Sequence, residues 1–212
     1  RSMEVTGVQT CALPISNTYG LIPGTTSRFD RSTRWTGILE SALFPNGYKI
    51  VEEGLCGRTT IFEDELRDNR RGIDMLPALL ESHSPIDYVI LMLGTNDCKT
   101  YYNASAGLIG KGIEKLISQI KKYDSSLDIL LMSPIVLGDD VWKPEFDPEF
   151  NKNSVKTSHK LKDVYKKIAD KYGCHFLAAS DVSSYSTDDM EHMDASGHRH
   201  LADAILDLGL FA

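Results

Sequence analysis

A few short stretches of this chain combine residue types that can do chemistry. Ser16-Asn17-Thr18-Tyr19-Gly20 offers a hydroxyl nucleophile, and Glu53-Gly54-Leu55-Cys56-Gly57-Arg58-Thr59-Thr60 offers glycines that let a backbone N–H approach a ligand closely. Gly94-Thr95-Asn96-Asp97 carries a side-chain amide able to donate to a developing oxyanion. Asp189-Met190-Glu191-His192 places a carboxylate three residues ahead of an imidazole. On a turn, such an Asp receives the proton of one ring nitrogen and leaves the other free as a base. Each stretch also has a plainer reading. A serine after a strand is often a turn residue, paired glycines often make a tight turn, and Asn, Asp and His are common in surface loops.

Other reactive side chains fit structural roles better. No His or charge motif near Cys56 argues for a depressed thiol pKa, so it reads as a small buried side chain. Asp97 reads as a cap of its loop or of the following turn, and Asp194 as the N-cap of the last helix. His198 and His200, with acidic residues close by, raise a metal site. Two positions apart on a helix they point roughly 200° apart, which does not suit one ion. The expectation is no metal and no cofactor.

The elements that must position these residues follow from hydrophobic patterning. Short apolar runs at 8–15, 48–53, 86–93, 127–132 and 174–178 read as strands, and segments of helical period lie between them. Ile109, Ile113, Leu116, Ile117 and Ile120 lie on one face of a helix that Asn103 is placed to cap. Trp35, Ile38, Leu39 and Ala42 mark another. Leu161, Val164, Tyr165, Ile168 and Tyr172 mark a third, which Gly173 can end, and Leu201, Ala204, Ile205 and Leu208 mark the last. The alternation predicts an α/β fold, a flavodoxin-like three-layer α/β/α sandwich with a five-stranded parallel sheet in the order 2-1-3-4-5. In that fold ligands bind outside the carboxyl ends of the strands, where the segments after the first, second, third and fifth strands converge.

Composition narrows the function. A chain of 212 residues suits one domain, and a net charge of -7 with no Lys/Arg cluster excludes the footprint of a nucleic-acid binder. The longest apolar runs are far too short to cross a bilayer, and the four scattered cysteines suggest neither a zinc site nor a disulfide framework. A soluble cytoplasmic protein with reduced thiols is expected. Its N-terminus lacks the basic and apolar regions of a secretory signal. The aromatic stretch at 138–150, with Trp142, Phe146 and Phe150, reads as a pocket wall, a subunit contact in a homo-oligomer, or a surface loop tucked onto the core.

Taken together, the stretches resemble the SGNH (GDSL-type) hydrolases. Asn17-Thr18-Tyr19-Gly20, Arg34-Trp35-Thr36-Gly37, residues 53–60, Leu91-Met92-Leu93-Gly94-Thr95-Asn96-Asp97 and His192-Met193-Asp194-Ala195-Ser196-Gly197-His198 are similar to the arylesterase and acyltransferase branch. The resemblance implies a serine esterase acting on a small-molecule ester, acetyl or aryl, with some acyl transfer to alcohols. It implies Ser16 as nucleophile, Asp189 and His192 as its triad partners, and an oxyanion hole from the N–H groups of Ser16 and Gly57 with the Asn96 amide. In one place the chain departs from the pattern. The family's first block reads Gly-Asp-Ser, whereas Pro14 and Ile15 precede Ser16, and residues 1–15 read as a non-native segment such as translated adapter sequence joined to a truncated gene. On that reading, restoring Gly-Asp raises kcat/KM. Two alternatives stand: an impaired protein of this fold that binds an acylated ligand, and a flavodoxin-like flavin or nucleotide binder, for which no phosphate loop is present.

Overall fold

The computed structural model of the chain describes residues 8–211. Residues 1–7 of the atypical segment lie outside them. Five parallel strands form one sheet: β1 (Val8–Pro14), β2 (Tyr48–Glu52), β3 (Tyr88–Met92), β4 (Asp128–Ser133) and β5 (His175–Ala178), in the order β2-β1-β3-β4-β5. The order is the expected one. The unusual segment before Ser16 thus supplies an inner strand, with Cys11 opposite Val51 on one side and Val89 on the other.

Alternation along the strands explains the layers. Val89 and Leu91 of β3 and Ile129 and Leu131 of β4 face one core, while Ile90, Met92, Leu130 and Met132 face the other. The first core is covered by α3 (Gly72–Ser82), α4 (Ala106–Tyr123) and α5 (Lys152–Tyr172), the second by α2 (Trp35–Leu43) and α6 (Ala195–Asp207). Strands so covered are buried on both faces, which is why they read as apolar runs. On α4 all five residues of the expected stripe are fully buried. Each contributes about 1.5–3 kcal/mol by leaving water.

Helix ends are set by local chemistry. Asn151 and Ser154 make a reciprocal capping box on α5, Gly173 ends that helix at φ 66°, and Asp194 accepts the Gly197 N–H at 2.7 Å. The cap of α4 is Ser105, not Asn103, which lies in the left-handed region after the 3₁₀ turn Thr100–Tyr102. Helix α3 escaped the sequence reading because Pro77, which removes a backbone donor and reads as a breaker, sits inside it. Among the described residues no helix is long and apolar enough to cross a membrane.

Candidate active site

Ser16 is presented where β1 ends. The chain leaves the sheet at Ile15, fully buried, and makes one helical turn, α1 (Ser16–Tyr19). The Thr18 and Tyr19 N–H groups donate to the Ile15 carbonyl at 2.9 and 3.1 Å, and Gly20 N–H donates to the Ser16 carbonyl at 2.8 Å. This turn holds Ser16 Oγ 2.7 Å from Nε2 of His192, 176 positions later in the chain.

The other ring nitrogen of His192, Nδ1, lies 2.8 Å from Asp189 Oδ2. Asp189 is itself held by backbone donors: Oδ1 accepts the N–H of Glu191 at 3.0 Å and of His192 at 2.9 Å, and Oδ2 accepts that of Gly24 at 3.0 Å. Asn17 ties the two ends of the site together, its Oδ1 accepting the Met193 N–H at 2.8 Å. Trp35 Nε1 donates to Thr18 Oγ1 at 2.8 Å, and Arg34 pairs with Glu52 at 2.9 Å, so the Arg34-Trp35 dipeptide braces α1 against β2.

Burial works to lower the His192 pKa, but the carboxylates of Glu191 and Asp189 outweigh it and leave the imidazole above its ordinary value. For Asp189, burial raises the pKa, yet its hydrogen bonds and the His192 charge hold it below the usual range. A hydroxyl, an imidazole and an ionised carboxylate in such a line can pass one proton off the hydroxyl and stabilise the imidazolium that results.

Gly57 and Asn96 border the same cleft of about 130 Å³, with Ser16 and His192. Gly57 has φ 80°, a region that favours glycine, and an added Cβ would lie 3.1 Å from Arg67 Nη1. Asn96 Nδ2 donates one hydrogen to the Arg58 carbonyl at 3.0 Å, which orients the amide and leaves its second hydrogen available. Among the described residues the backbone N–H groups of Ser16 and Gly57 donate to no protein acceptor. Asp97 does not cap its own loop: Oδ1 accepts the Thr60 N–H at 2.9 Å, locking the loop after β3 to the one after β2. Burial raises its pKa to about 6.

Cys56 departs from its expected place, whereas His198 and His200 point apart as expected. Cys56 is half-buried and lines the cleft, because the turn at Gly57 carries it there, and burial raises its thiol pKa away from the reactive thiolate. His198 is buried, edge-on to Phe29, its pKa pushed down to about 4 by burial, while His200 is exposed.

Sequence reasoning missed the charged wall of the cleft: Arg67, Lys99, Asp147, Glu149 and Glu191. Glu149 Oε2 receives Lys99 Nζ at 2.5 Å and Arg67 Nη2 at 3.1 Å. Burial raises the Glu149 pKa, but these two cations outweigh it and leave the carboxylate below its ordinary value. The aromatic stretch at 138–150 does two of its expected jobs, tucking Phe150 into the core and lending Asp147 and Glu149 to the cleft. Charged loop residues have no period, so only Glu191, beside His192, left any sequence trace.

Residues 16–205 match the model of the GDSL-like lipase/acylhydrolase family. The chain belongs to that family. It is therefore a carboxylic ester hydrolase by membership, and solved structures agree. Est24, a carbohydrate acetylesterase from Sinorhizobium meliloti, is 33% identical over 95% of this chain and 98% of its own, with a TM-score of 0.87. The inhibitor-bound aryl esterase of M. smegmatis is 28% identical over 96% of this chain and 98% of its own, also with a TM-score of 0.87. Among curated protein sequences none matches.

Proposed function

We propose that this family member hydrolyses small acetyl or aryl esters through an acyl-enzyme on Ser16. The observation that carries the reading is the line Ser16 Oγ, His192 Nε2, His192 Nδ1, Asp189 Oδ2, with hydrogen bonds of 2.7 and 2.8 Å. Ser16 Oγ attacks the ester carbonyl while its proton passes to His192 Nε2, and Asp189 holds the imidazole in the required tautomer. The oxyanion is met by the N–H groups of Ser16 and Gly57 and by Asn96 Nδ2. His192 returns the proton to the departing alkoxide. Water then attacks the acyl-enzyme by the same route and releases the acid, and an alcohol in place of water gives acyl transfer.

The four cysteines, none in a disulfide, support a cytoplasmic setting. The impaired-binder alternative rested on Pro14 and Ile15, and the Ser16–His192 distance favours the active reading over it. Turnover of 4-nitrophenyl acetate, together with mass-spectrometric location of a fluorophosphonate adduct on Ser16, tests the proposal. Labelling elsewhere, or no turnover by folded protein, overturns it.

A further inference from the structure

We propose that Glu191 is a specificity-determining residue that selects esters whose alcohol carries a hydroxyl on the carbon next to the ester oxygen, that is, monoesters of vicinal diols and polyols. The inference rests on the ester-hydrolase reading and deepens it.

Glu191 is 8% exposed and lines the cleft. Its Oε1 stands 3.8 Å from His192 Nε2, beyond hydrogen-bond range, and among the described residues the carboxylate accepts no hydrogen bond. The nearby donors make their hydrogen bonds to other groups. His192 spends its two nitrogens on Ser16 and Asp189, and both Lys99 and Arg67 hold Glu149. Asp147 and Asp189 add like charge. The carboxylate opens onto the cleft with no donor from the protein, so a hydroxyl that enters with the substrate takes the place of water on it.

The position says which part of the substrate brings it. The leaving oxygen must lie within hydrogen-bond reach of Nε2, since His192 protonates it. A carboxylate just beyond that nitrogen is reached by the next polar group along the alcohol. Burial raises the Glu191 pKa. A hydroxyl can both donate and accept, so it pairs with the carboxyl in either protonation state, whereas an ammonium pairs only with the ionised form.

The test uses two acetates of matched leaving group, 2-hydroxyethyl acetate and 2-methoxyethyl acetate, on wild type, Glu191→Met and Glu191→Gln. Wild type should favour the hydroxyl ester in kcat/KM by about tenfold to a hundredfold, the range for one hydrogen bond to a charged group. Glu191→Met should bring the ratio near one, and Glu191→Gln, a neutral acceptor, should leave an intermediate value. The ratio cancels any effect of the substitution on the triad, so a residue that merely tunes His192 changes both rates together and leaves the ratio alone. A wild-type ratio near one, or a ratio that survives in Glu191→Met, overturns the proposal and spares the esterase reading. So does a Glu191-dependent preference for acetylcholine over 3,3-dimethylbutyl acetate with no hydroxyl preference. Failure of wild type on every ester, 4-nitrophenyl acetate included, overturns both. Thermal melting gives a readout independent of turnover: Glu191→Met should melt no lower than wild type, and a fall of several degrees would mean that the carboxylate already has its partner in the fold.

Discussion

The two ends of the chain that meet at the cleft are held by different physics. At the Ser16 end, position comes chiefly from a buried Ile15 and from backbone bonds within α1, with no side-chain cap and one side-chain brace from Trp35 to Thr18. At the His192 end, position comes from side chains: Asp189 gathers three backbone N–H groups and the imidazole, and Asn17 reaches across to Met193. Apolar burial tolerates many side chains of similar volume, whereas a web of directed hydrogen bonds demands particular ones. On these grounds the Ser16 end delivers its hydroxyl with Pro14 and Ile15 before it, whereas the His192 end depends on the particular side chains of Asp189 and Asn17.

The contrast can be tested from its strongest consequence down. Ser16→Ala and His192→Ala should each cost about 10⁴-fold or more in kcat, and the double variant should be no slower than either, because both act in one step. A markedly slower double variant in steady-state assays would break the link between the two ends. Asn96→Ala should lower kcat about a hundredfold to a thousandfold with little change in KM, the signature of a lost oxyanion donor; unimpaired kcat would remove Asn96 from that role.

Asn17→Ala attacks the bridge between the ends. It leaves the buried Met193 N–H without its acceptor, so denaturant melts should show a loss of about 1–3 kcal/mol, with kcat down roughly tenfold. No loss of stability would mean that the Asn17 tie is not what joins them. The His192 end should also show in pH. Only neutral imidazole serves as base, and its pKa is raised, so kcat/KM should rise with pH through a midpoint above the ordinary 6.5. Glu191→Gln removes a neighbouring negative charge and should move that midpoint to lower pH; an unmoved profile would count against the coupling.

The smallest effect on catalysis concerns the Ser16 end. Because α1 is already closed by its backbone bonds, replacing Pro14-Ile15 by Gly-Asp has no misplacement to repair, and the gain in kcat/KM expected from sequence should not appear. Instead the new carboxylate would sit where Ile15 is fully buried, costing on the order of 3 kcal/mol in a thermal or denaturant melt. A clear rise in kcat/KM would restore the view of Pro14 and Ile15 as a defect.

What the sequence by itself determined is what repeats or stands in local order. The strands declared themselves as apolar runs, because both faces of an inner parallel strand are buried. Helix α4 did so through its isoleucine and leucine stripe, and Asp189 and His192 through a spacing that a single turn can close. Only the tertiary structure decided the rest. The proximity of Ser16 to His192 depends on sheet order, which brings β1 beside β3 and returns the segment after β5 to the same edge. Helix α3 was hidden by Pro77, a residue that local propensity penalises and packing of Leu76 and Leu80 overrides. Ser105 rather than Asn103 caps α4 because the backbone between them turns through the left-handed region first. Arg67, Lys99, Glu149 and Asp147 come from loops with no period, and they share a cleft with Glu191 only because the strands that carry those loops end side by side. Local order can be read along the chain; which charges face each other across a cleft is decided where distant segments pack.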